Sequence, residues 1–240
     1  MNIVVVANYD SMSAEVAKLL YAQITRKPTS VLGLATGSTP LGVYKLLVEY
    51  HARGTDFSRL TTFNLDEYVG LAPDHPQSYN YYMKENLFSK VNLKPENTHV
   101  PNGLAPDLEA ECQRYEELIK KAGGIDLQIL GIGTNGHIGF NEPGTDFGAI
   151  THVVDLAEST IRDNSRFFAS IDEVPTRAIS MGIKTIMQAK EIILMASGGS
   201  KADAVYAAVH GPVTPDVPAS VLQLHPSVTL VVDQAAASKL

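Results

Sequence analysis

Two carboxylates stand side by side at the end of a short apolar segment. Asp66 and Glu67 directly follow Thr61–Leu65, which is predicted as a buried strand. A partly buried carboxylate loses solvation unless it is paired or used in chemistry. Because side chains alternate along a strand, the two acids should have different roles. Asp66 is a candidate base and Glu67 a candidate structural partner. The alternative to a catalytic role is that Asp66 only caps a helix.

A second group of residues suited to proton chemistry lies between Gly131 and Gly144. An imidazole exchanges protons near neutral pH, so His137 is a candidate base, and Glu142 is close enough along the chain to orient it. Asn135 is suited to hold a substrate hydroxyl or the imidazole ring. The alternative is that His137 has only a structural role. A metal site is disfavoured because the spacing is not that of helical ligand pairs and the other histidines are scattered.

The same region contains a GxGxxG pattern, Gly131–Gly136, which in another context indicates a dinucleotide site. Here the pattern follows the fourth predicted strand rather than the first. Pro143 and the neighbouring glycines also interrupt any helix that would follow. We therefore expect an irregular loop without a nicotinamide cofactor.

A short loop rich in Gly, Ser and Thr is suited to binding an anion. It lies between a predicted strand and a helix that Pro40 is suited to begin, so backbone N–H groups and hydroxyls would face the ligand. The loop lacks the GK[ST] ending of a nucleotide P-loop, which argues against an ATP or GTP site. The alternative to an anion site is a simple turn that caps the following helix. The candidate phosphate ligands are Thr36, Gly37, Ser38 and Thr39.

A second loop of this kind, Ser197–Lys201, precedes the helical pattern Ala202–Val209. Lys201 adds a positive charge that suits a phosphate monoester, although a lone lysine is as readily a surface residue. Because both loops follow predicted strands of one sheet, the pair favours a shared phosphate pocket.

The elements between these loops must bring them together. Short continuous apolar runs alternate with longer amphipathic stretches, which predicts an α/β fold with a mostly parallel, doubly wound sheet and helices on both faces. Ligands bind such sheets beyond the carboxyl ends of the strands. Four segments that follow predicted strands and are expected as loops would meet there: Ala35–Pro40, Asp66–Gly70, Ile132–Pro143 and Ser197–Lys201. No linker or repeat divides the chain, so we expect one domain over residues 1–240. The predicted strands are Ile3–Ala7, Val31–Leu34, Thr61–Leu65, Leu127–Gly131, Glu191–Ala196 and Val228–Val232.

Helix boundaries can be predicted from capping residues and helix breakers. Ser13 is a candidate N-cap of the first helix, which Pro28 limits. Asp107 is a candidate N-cap of a later helix that Gly123 and Gly124 would end.

Composition excludes several functions. Of 240 residues, 26 are acidic and 19 basic, giving a net charge of −7, which argues against nucleic-acid binding. A content of 45% hydrophobic residues supplies a packed core. The single cysteine, Cys112, excludes an intrachain disulfide and suits a reducing compartment, and no targeting or membrane segment is evident, so we expect a cytoplasmic protein. An anionic substrate would have to be attracted locally.

These motifs, in this order, resemble the glucosamine-6-phosphate deaminase (isomerase) family nearly end to end. The resemblance implies a Rossmann-like fold with a small helical lid over residues 157–174. It also implies the conversion of D-glucosamine 6-phosphate and water to D-fructose 6-phosphate and ammonia. The matching segments are Leu32–Pro40, Phe63–Leu71, Gly131–Pro143, Asn164–Phe168, Gly199–Ala202 and Leu222–Pro226.

The resemblance also implies roles for individual residues. His137 would be the base for ring opening, supported by Glu142 and Asn135, and Asp66 would carry a proton from C2 to C1. Phosphate would be held by the Thr36–Thr39 loop together with Arg166 and Lys201. Aldose–ketose proton transfer needs one well-placed carboxylate, so neither a cofactor nor a metal is expected.

Two departures from the family pattern matter. Some members have an aspartate where this chain has Asn135, so the ring-opening relay would depend on His137 and Glu142. Allosteric hexameric members have basic residues shortly after the NEP motif and a longer C-terminal tail. The stretch Thr145–Val154 contains no Arg or Lys, and the sequence ends at Leu240. We therefore expect a monomer or small homo-oligomer without an allosteric activator site.

Two other functions compete with this interpretation. A 6-phosphogluconolactonase-like hydrolase would share the phosphate loops but would not be expected to keep both the Asp66-Glu67-Tyr68 and the His137…Glu142 motifs. A sugar-phosphate sensor of a transcriptional regulator would carry an additional helix-turn-helix domain, for which we expect no room in this sequence.

Overall fold

The computed structural model describes residues 1–156, 158, 161, 162, 165, 168 and 170–240. The strands of the described residues are β1 (Asn2–Val6), β2 (Val31–Leu34), β3 (Thr61–Asn64), β4 (Asp66–Tyr68), β5 (Thr98–His99), β6 (Leu127–Gly131), β7 (His152–Asp155), β8 (Arg177–Ser180), β9 (Glu191–Ala196) and β10 (Val228–Asp233). Seven of these strands form one sheet in the order β1-β10-β9-β6-β2-β3-β5, in which every neighbouring pair is parallel.

All six predicted strands are confirmed to within one residue at each end. Strands β2, β6 and β9 are buried at nearly every position. A strand buried on both faces must be covered on both faces, which is why these segments are continuously apolar rather than alternating in polarity. The predicted α/β class with a mostly parallel sheet is therefore confirmed.

Two helices, α1 (Tyr9–Arg26) and α4 (Leu108–Lys121), test the predicted N-cap residues. The N-cap of α1 is Asn8, whose side chain accepts a hydrogen bond from the Ser11 N–H, so the prediction of Ser13 as N-cap is wrong. Ser13 is instead buried inside α1, where its Oγ lies 2.4 Å from the point that a Cβ at Gly42 would occupy. Asp107 caps α4 as predicted, accepting from the Ala110 N–H at 3.0 Å. The helices of the described residues are α1 (Tyr9–Arg26), α2 (Leu41–Ala52), α3 (Tyr79–Met83), α4 (Leu108–Lys121), α5 (Ile183–Met187) and α6 (Ala202–His210).

A second sheet of three antiparallel strands, in the order β4-β8-β7, was not predicted. Only Leu65 separates β3 in the first sheet from β4 in the second. Its N–H donates to the carbonyl of Leu34 in β2, and its carbonyl accepts from the Met181 N–H just after β8. Leu65 is thus bonded to both sheets, and Asp66 lies at their junction.

An ion cluster around the buried Asp126 lies at the amino end of the parallel sheet. Asp126 directly precedes β6 and accepts hydrogen bonds from Lys27 Nζ and Lys190 Nζ, both at 2.7 Å, and from the Val31 N–H at 2.8 Å. Burial alone would raise the pKa of Asp126, but these donors outweigh it and lower the pKa. The cluster joins segments that lead into three strands of the sheet.

The expected lid over residues 157–174 lies largely outside the described residues; of it, Ile171–Glu173 form one turn of 3-10 helix. Within the described part of the chain, no helix combines the length and apolar character needed to cross a membrane.

Candidate active site

A cavity of about 430 Å³ opens at the carboxyl end of the parallel sheet. Seven of the ten residues predicted as site residues line it: Thr36, Gly37, Ser38, Thr39, Asp66, His137 and Lys201. Asn135 and Glu142 contact each other beside His137 rather than lining the cavity. Arg166, the remaining one, lies outside the described residues. The fold therefore brings both anion loops and both candidate bases to one place.

Asp66 combines burial with proximity to the loop that carries His137. Only 6% of the residue is exposed, and within the described part of the chain its carboxylate accepts no hydrogen bond. A Cβ at Gly139 would lie 3.7 Å from Asp66 Oδ2. Burial, and then the charge of Glu67, raise the pKa of Asp66 to about 8. Since Asp66 lies in β4 and not at a helix start, the helix-capping alternative is wrong.

Glu67 is surrounded quite differently from its neighbour. Its carboxylate accepts hydrogen bonds from the backbone N–H groups of Tyr68 at 2.8 Å and of Tyr79 and Asn80 at 2.9 Å. Burial raises the pKa of Glu67 to about 7, although these N–H groups act in the opposite direction. Because Tyr79 and Asn80 begin α3, Glu67 fixes that helix against β4 and places Tyr79 in the cavity wall.

Asn135, His137 and Glu142 form a connected group. Asn135 Nδ2 donates to Glu142 Oε2 at 2.7 Å, while Asn135 Oδ1 accepts from the His137 N–H at 3.2 Å. The same Glu142 Oε2 lies 3.4 Å from His137 Nδ1, which is an ion-pair distance without hydrogen-bond geometry. Asn135 thus contacts both His137 and Glu142 from outside the cavity. Its position favours support of these two residues over direct binding of a substrate hydroxyl.

The backbone of this loop explains the glycines around the histidine. A Cβ at Gly133 would lie 2.3 Å from His137 Cε1, so the imidazole occupies space that any larger residue would fill. Gly136 has a φ of +85°, a conformation that favours glycine. No helix begins in this segment, which confirms the expected irregular loop after β6.

The two anion loops lie at the starts of helices. Thr36–Thr39 lead through Pro40 into α2, and Gly199–Lys201 form a 3-10 turn that continues into α6. N–H groups at such positions carry partial positive charge toward a ligand. The second loop is anchored by Asp233 at the end of β10, whose carboxylate accepts from Ser197 Oγ at 2.5 Å and from the Gly198 N–H at 3.1 Å.

Aromatic side chains line the cavity together with Asp66, and the sequence predicted no role for them. This aromatic wall consists of Tyr68, Tyr79, Tyr82, Phe140 and Phe168. Tyr79 and Phe140 stack with centroids 6.1 Å apart, and Tyr79 donates a hydrogen bond to the Tyr68 hydroxyl at 3.3 Å. Tyr68, Phe140 and Phe168 lie within the motifs of the family resemblance, whereas no sequence motif indicated Gln77, Tyr79 or Tyr82. The cavity-lining residues not predicted as site residues include Tyr68, Gln77, Tyr79, Tyr82, Phe140 and Phe168.

Among the described residues, no group of three His, Cys, Asp or Glu side chains is placed to hold a metal ion.

The chain is similar to known proteins along its whole length. A glucosamine-6-phosphate deaminase of Thermoanaerobacter pseudethanolicus is 58% identical over 239 residues, covering 99% of this chain and 94% of that protein. A solved structure described as a monomeric glucosamine-6-phosphate deaminase is 48% identical and superimposes with a TM-score of 0.98, covering 100% of both chains.

The fold extends to more distant proteins. A 6-phosphogluconolactonase from Trypanosoma cruzi superimposes with a TM-score of 0.81 over 100% of this chain and 96% of its own, at only 18% identity, so this likeness shows the fold alone. The family model for glucosamine-6-phosphate isomerases and 6-phosphogluconolactonases matches residues 6–231. The chain therefore belongs to the glucosamine-6-phosphate isomerase/6-phosphogluconolactonase family.

Proposed function

We propose that this protein converts D-glucosamine 6-phosphate and water to D-fructose 6-phosphate and ammonia. The observation that carries the proposal is the position of Asp66, a buried carboxylate that shares one cavity with His137 and with both anion loops. The high identity to proteins named as glucosamine-6-phosphate deaminases supports the same reaction.

Binding and ring opening come first in the proposed mechanism. The N–H groups and hydroxyls of Thr36–Thr39 and the ammonium group of Lys201 hold the phosphate, with Arg166 as a further proposed ligand. His137 takes the proton from the anomeric hydroxyl, the bond between C1 and the ring oxygen breaks, and the imidazolium returns the proton to that oxygen. Glu142 stabilises the transient imidazolium from 3.4 Å.

Proton transfer between carbons follows in the open-chain sugar. Ionised Asp66 takes the proton from C2, the electrons of that bond form the double bond between C1 and C2, and the electrons of the C1–O1 π bond move to O1, which takes a proton from solvent. Asp66 then delivers a proton to C1 while the nitrogen lone pair forms a C2–nitrogen double bond. Water adds to C2, and ammonia and one proton leave, which gives the ketose. The aromatic wall keeps the environment of Asp66 apolar during these steps.

We further propose a monomer of one domain, residues 1–240, without an activator site, in the cytoplasm. Loops from widely separated parts of the chain line one cavity, which supports one domain. The similar solved deaminase is described as monomeric, and Thr145–Val154 contain no Arg or Lys. Sigmoidal kinetics relieved by N-acetylglucosamine 6-phosphate would contradict this.

One assay tests the reaction. The purified protein is incubated with D-glucosamine 6-phosphate, and ammonia and D-fructose 6-phosphate are measured in parallel. We expect equal amounts of both products. Binding without either product would instead favour a sensor, and hydrolysis of 6-phosphogluconolactone would favour the lactonase; either result contradicts the proposal.

A further inference from the structure

The carbonyl oxygens around the first anion loop, Thr36–Thr39, accept hydrogen bonds from tyrosine hydroxyls. Tyr82 donates to the carbonyl of Gly37 at 2.6 Å, and Tyr44 donates to the carbonyl of Ala35, directly before the loop, at 2.5 Å. The two tyrosine rings also contact each other edge to face, with centroids 6.5 Å apart. Tyr44 lies in α2 and Tyr82 lies in α3, so both hydroxyls reach the loop from neighbouring helices.

Tyr9, the first residue of α1, binds the other half of the loop. Its hydroxyl lies 3.0 Å from the carbonyl oxygen of Ser38 and 3.1 Å from that of Thr39, so its single proton is shared between them. The same hydroxyl accepts a hydrogen bond from the N–H of Gly42, in the first turn of α2, at 2.9 Å. One side chain therefore ties the loop to the start of the helix that follows it.

This arrangement has an electrostatic consequence for an anion. The N–H and C=O of a peptide point in nearly opposite directions, so N–H groups face a ligand only when the carbonyls face away from it. A carbonyl turned toward a phosphate would repel it, and a hydrogen bond from a tyrosine hydroxyl favours the outward orientation. Within the described part of the chain, the N–H groups of Thr36–Thr39 have no acceptor.

The hydroxyls remain donors over the working range of pH. Burial raises the pKa of Tyr44 and of Tyr82, which keeps both phenols protonated. Each therefore donates to its carbonyl rather than repelling it.

We propose that Tyr9 and Tyr82 are positioning residues that hold the carbonyls of the first anion loop outward and so orient its N–H groups for a phosphate group. The inference rests on the proposed function only in taking this phosphate to be that of the substrate. Neither hydroxyl is required to touch the reacting carbons, so the loss of either should weaken phosphate binding more than it slows the chemical steps.

The test uses Tyr9→Phe and Tyr82→Phe, each of which removes one hydroxyl and keeps the ring. Tyr21→Phe is the matched control, because Tyr21 also lies on α1 but is 42% exposed and packs on Tyr50, away from the loop. Inorganic phosphate binding is measured by calorimetry on the full chain. KM and kcat for D-glucosamine 6-phosphate and the melting temperature are measured alongside.

We expect Kd for phosphate and KM to rise about fivefold in Tyr9→Phe and Tyr82→Phe, with kcat within about twofold, because a loop carbonyl loses the donor that holds it outward. Tyr21→Phe should match the unchanged protein. A lower melting temperature with unchanged phosphate affinity overturns the inference, because it describes a purely structural role. Absence of phosphate binding to the unchanged protein overturns it too.

The two proposals can fail separately. If the protein releases no ammonia but the two variants bind phosphate more weakly, the reaction is wrong and the positioning role stands. If ammonia is released and both variants bind phosphate as the unchanged protein does, the positioning role is wrong and the reaction stands.

Discussion

Asp66 and Asp126 are two buried aspartates at opposite ends of the parallel sheet, and they differ in almost everything but burial. The exposed fraction is 6% for Asp66 and 4% for Asp126. Asp126 has two lysines and a backbone N–H as donors, and its pKa is lowered, whereas burial beside Glu67 raises the pKa of Asp66 to about 8. Burial alone thus does not decide what a carboxylate does. The donors around it decide whether it stabilises the fold or is available to take up a proton.

The largest expected effect is on turnover in Asp66→Asn. An amide cannot accept the C2 proton, so we expect kcat to fall by about a thousandfold or more. Exchange of the C2 proton with solvent, followed by NMR, should be lost while inorganic phosphate still binds. Turnover close to that of the unchanged protein would show that Asp66 is not the base.

Asp126→Asn should instead reduce stability. The variant loses two charge-assisted hydrogen bonds, although Lys27 and Lys190 are exposed enough for water to replace part of the interaction. We expect the free energy of unfolding in urea at pH 7 to fall by about 2 kcal/mol. The exposed Asp155→Asn is the control, with no measurable change expected. A changed kcat in the folded Asp126 variant would contradict a purely structural role.

The stability of Asp66→Asn should depend on pH in a defined direction. The pKa of Asp66 is raised by folding, so its protonated form contributes stability that is complete below about pH 4 and is lost as pH rises to about 8. The asparagine variant avoids this loss. In urea unfolding we expect it to match the unchanged protein at pH 4 and to exceed it by at least about 2 kcal/mol at pH 8, where the full shift in pKa sets an upper bound of about 5 kcal/mol. Equal stability at both pH values would contradict the burial cost.

The smallest expected effect is the slope of the pH–rate profile. The base acts in its ionised form, and the raised pKa values of Asp66 and Glu67 are about 8 and about 7. We expect kcat/KM to rise with pH across this range, by up to about tenfold for each pH unit, because it reports the free enzyme. A rising limb near pH 4 would mean that the carboxylate is solvated in solution.

The parallel sheet and the loops Thr36–Thr39, Gly131–Gly144 and Ser197–Lys201 could be predicted because each depends on local pattern, whereas the segment Asp66–Gly70, expected as a loop, begins with strand β4. Continuous apolar runs mark buried strands, and Gly, Ser and Pro mark the turns between them. The second sheet was missed because β4 begins with two carboxylates and β8 begins with Arg177 and ends with Ser180, so neither resembles an apolar strand. The anchor of the Ser197–Lys201 loop could not be predicted, because Asp233 is far from that loop in sequence.

Other parts of the site could not be predicted for a different reason. The hydroxyls of Tyr9 and Tyr82 reach the first anion loop from 30 and 45 residues away, and no local pattern records such a contact. Asp126 likewise precedes an apolar strand, as many solvent-exposed acids do, and only the folded chain brings Lys27 and Lys190 to it. Long-range pairing of side chains decided these environments.

The single residue between the two sheets also determines how the chain tolerates changes in length. Leu65 is hydrogen-bonded on both sides, so the connection has no slack to absorb an added residue. Because successive strand side chains face opposite ways, one residue inserted before Asp66 would turn its carboxylate away from the cavity. Length variation among functional relatives should therefore be absent at this junction and concentrated in surface connections such as the one between α2 and β3.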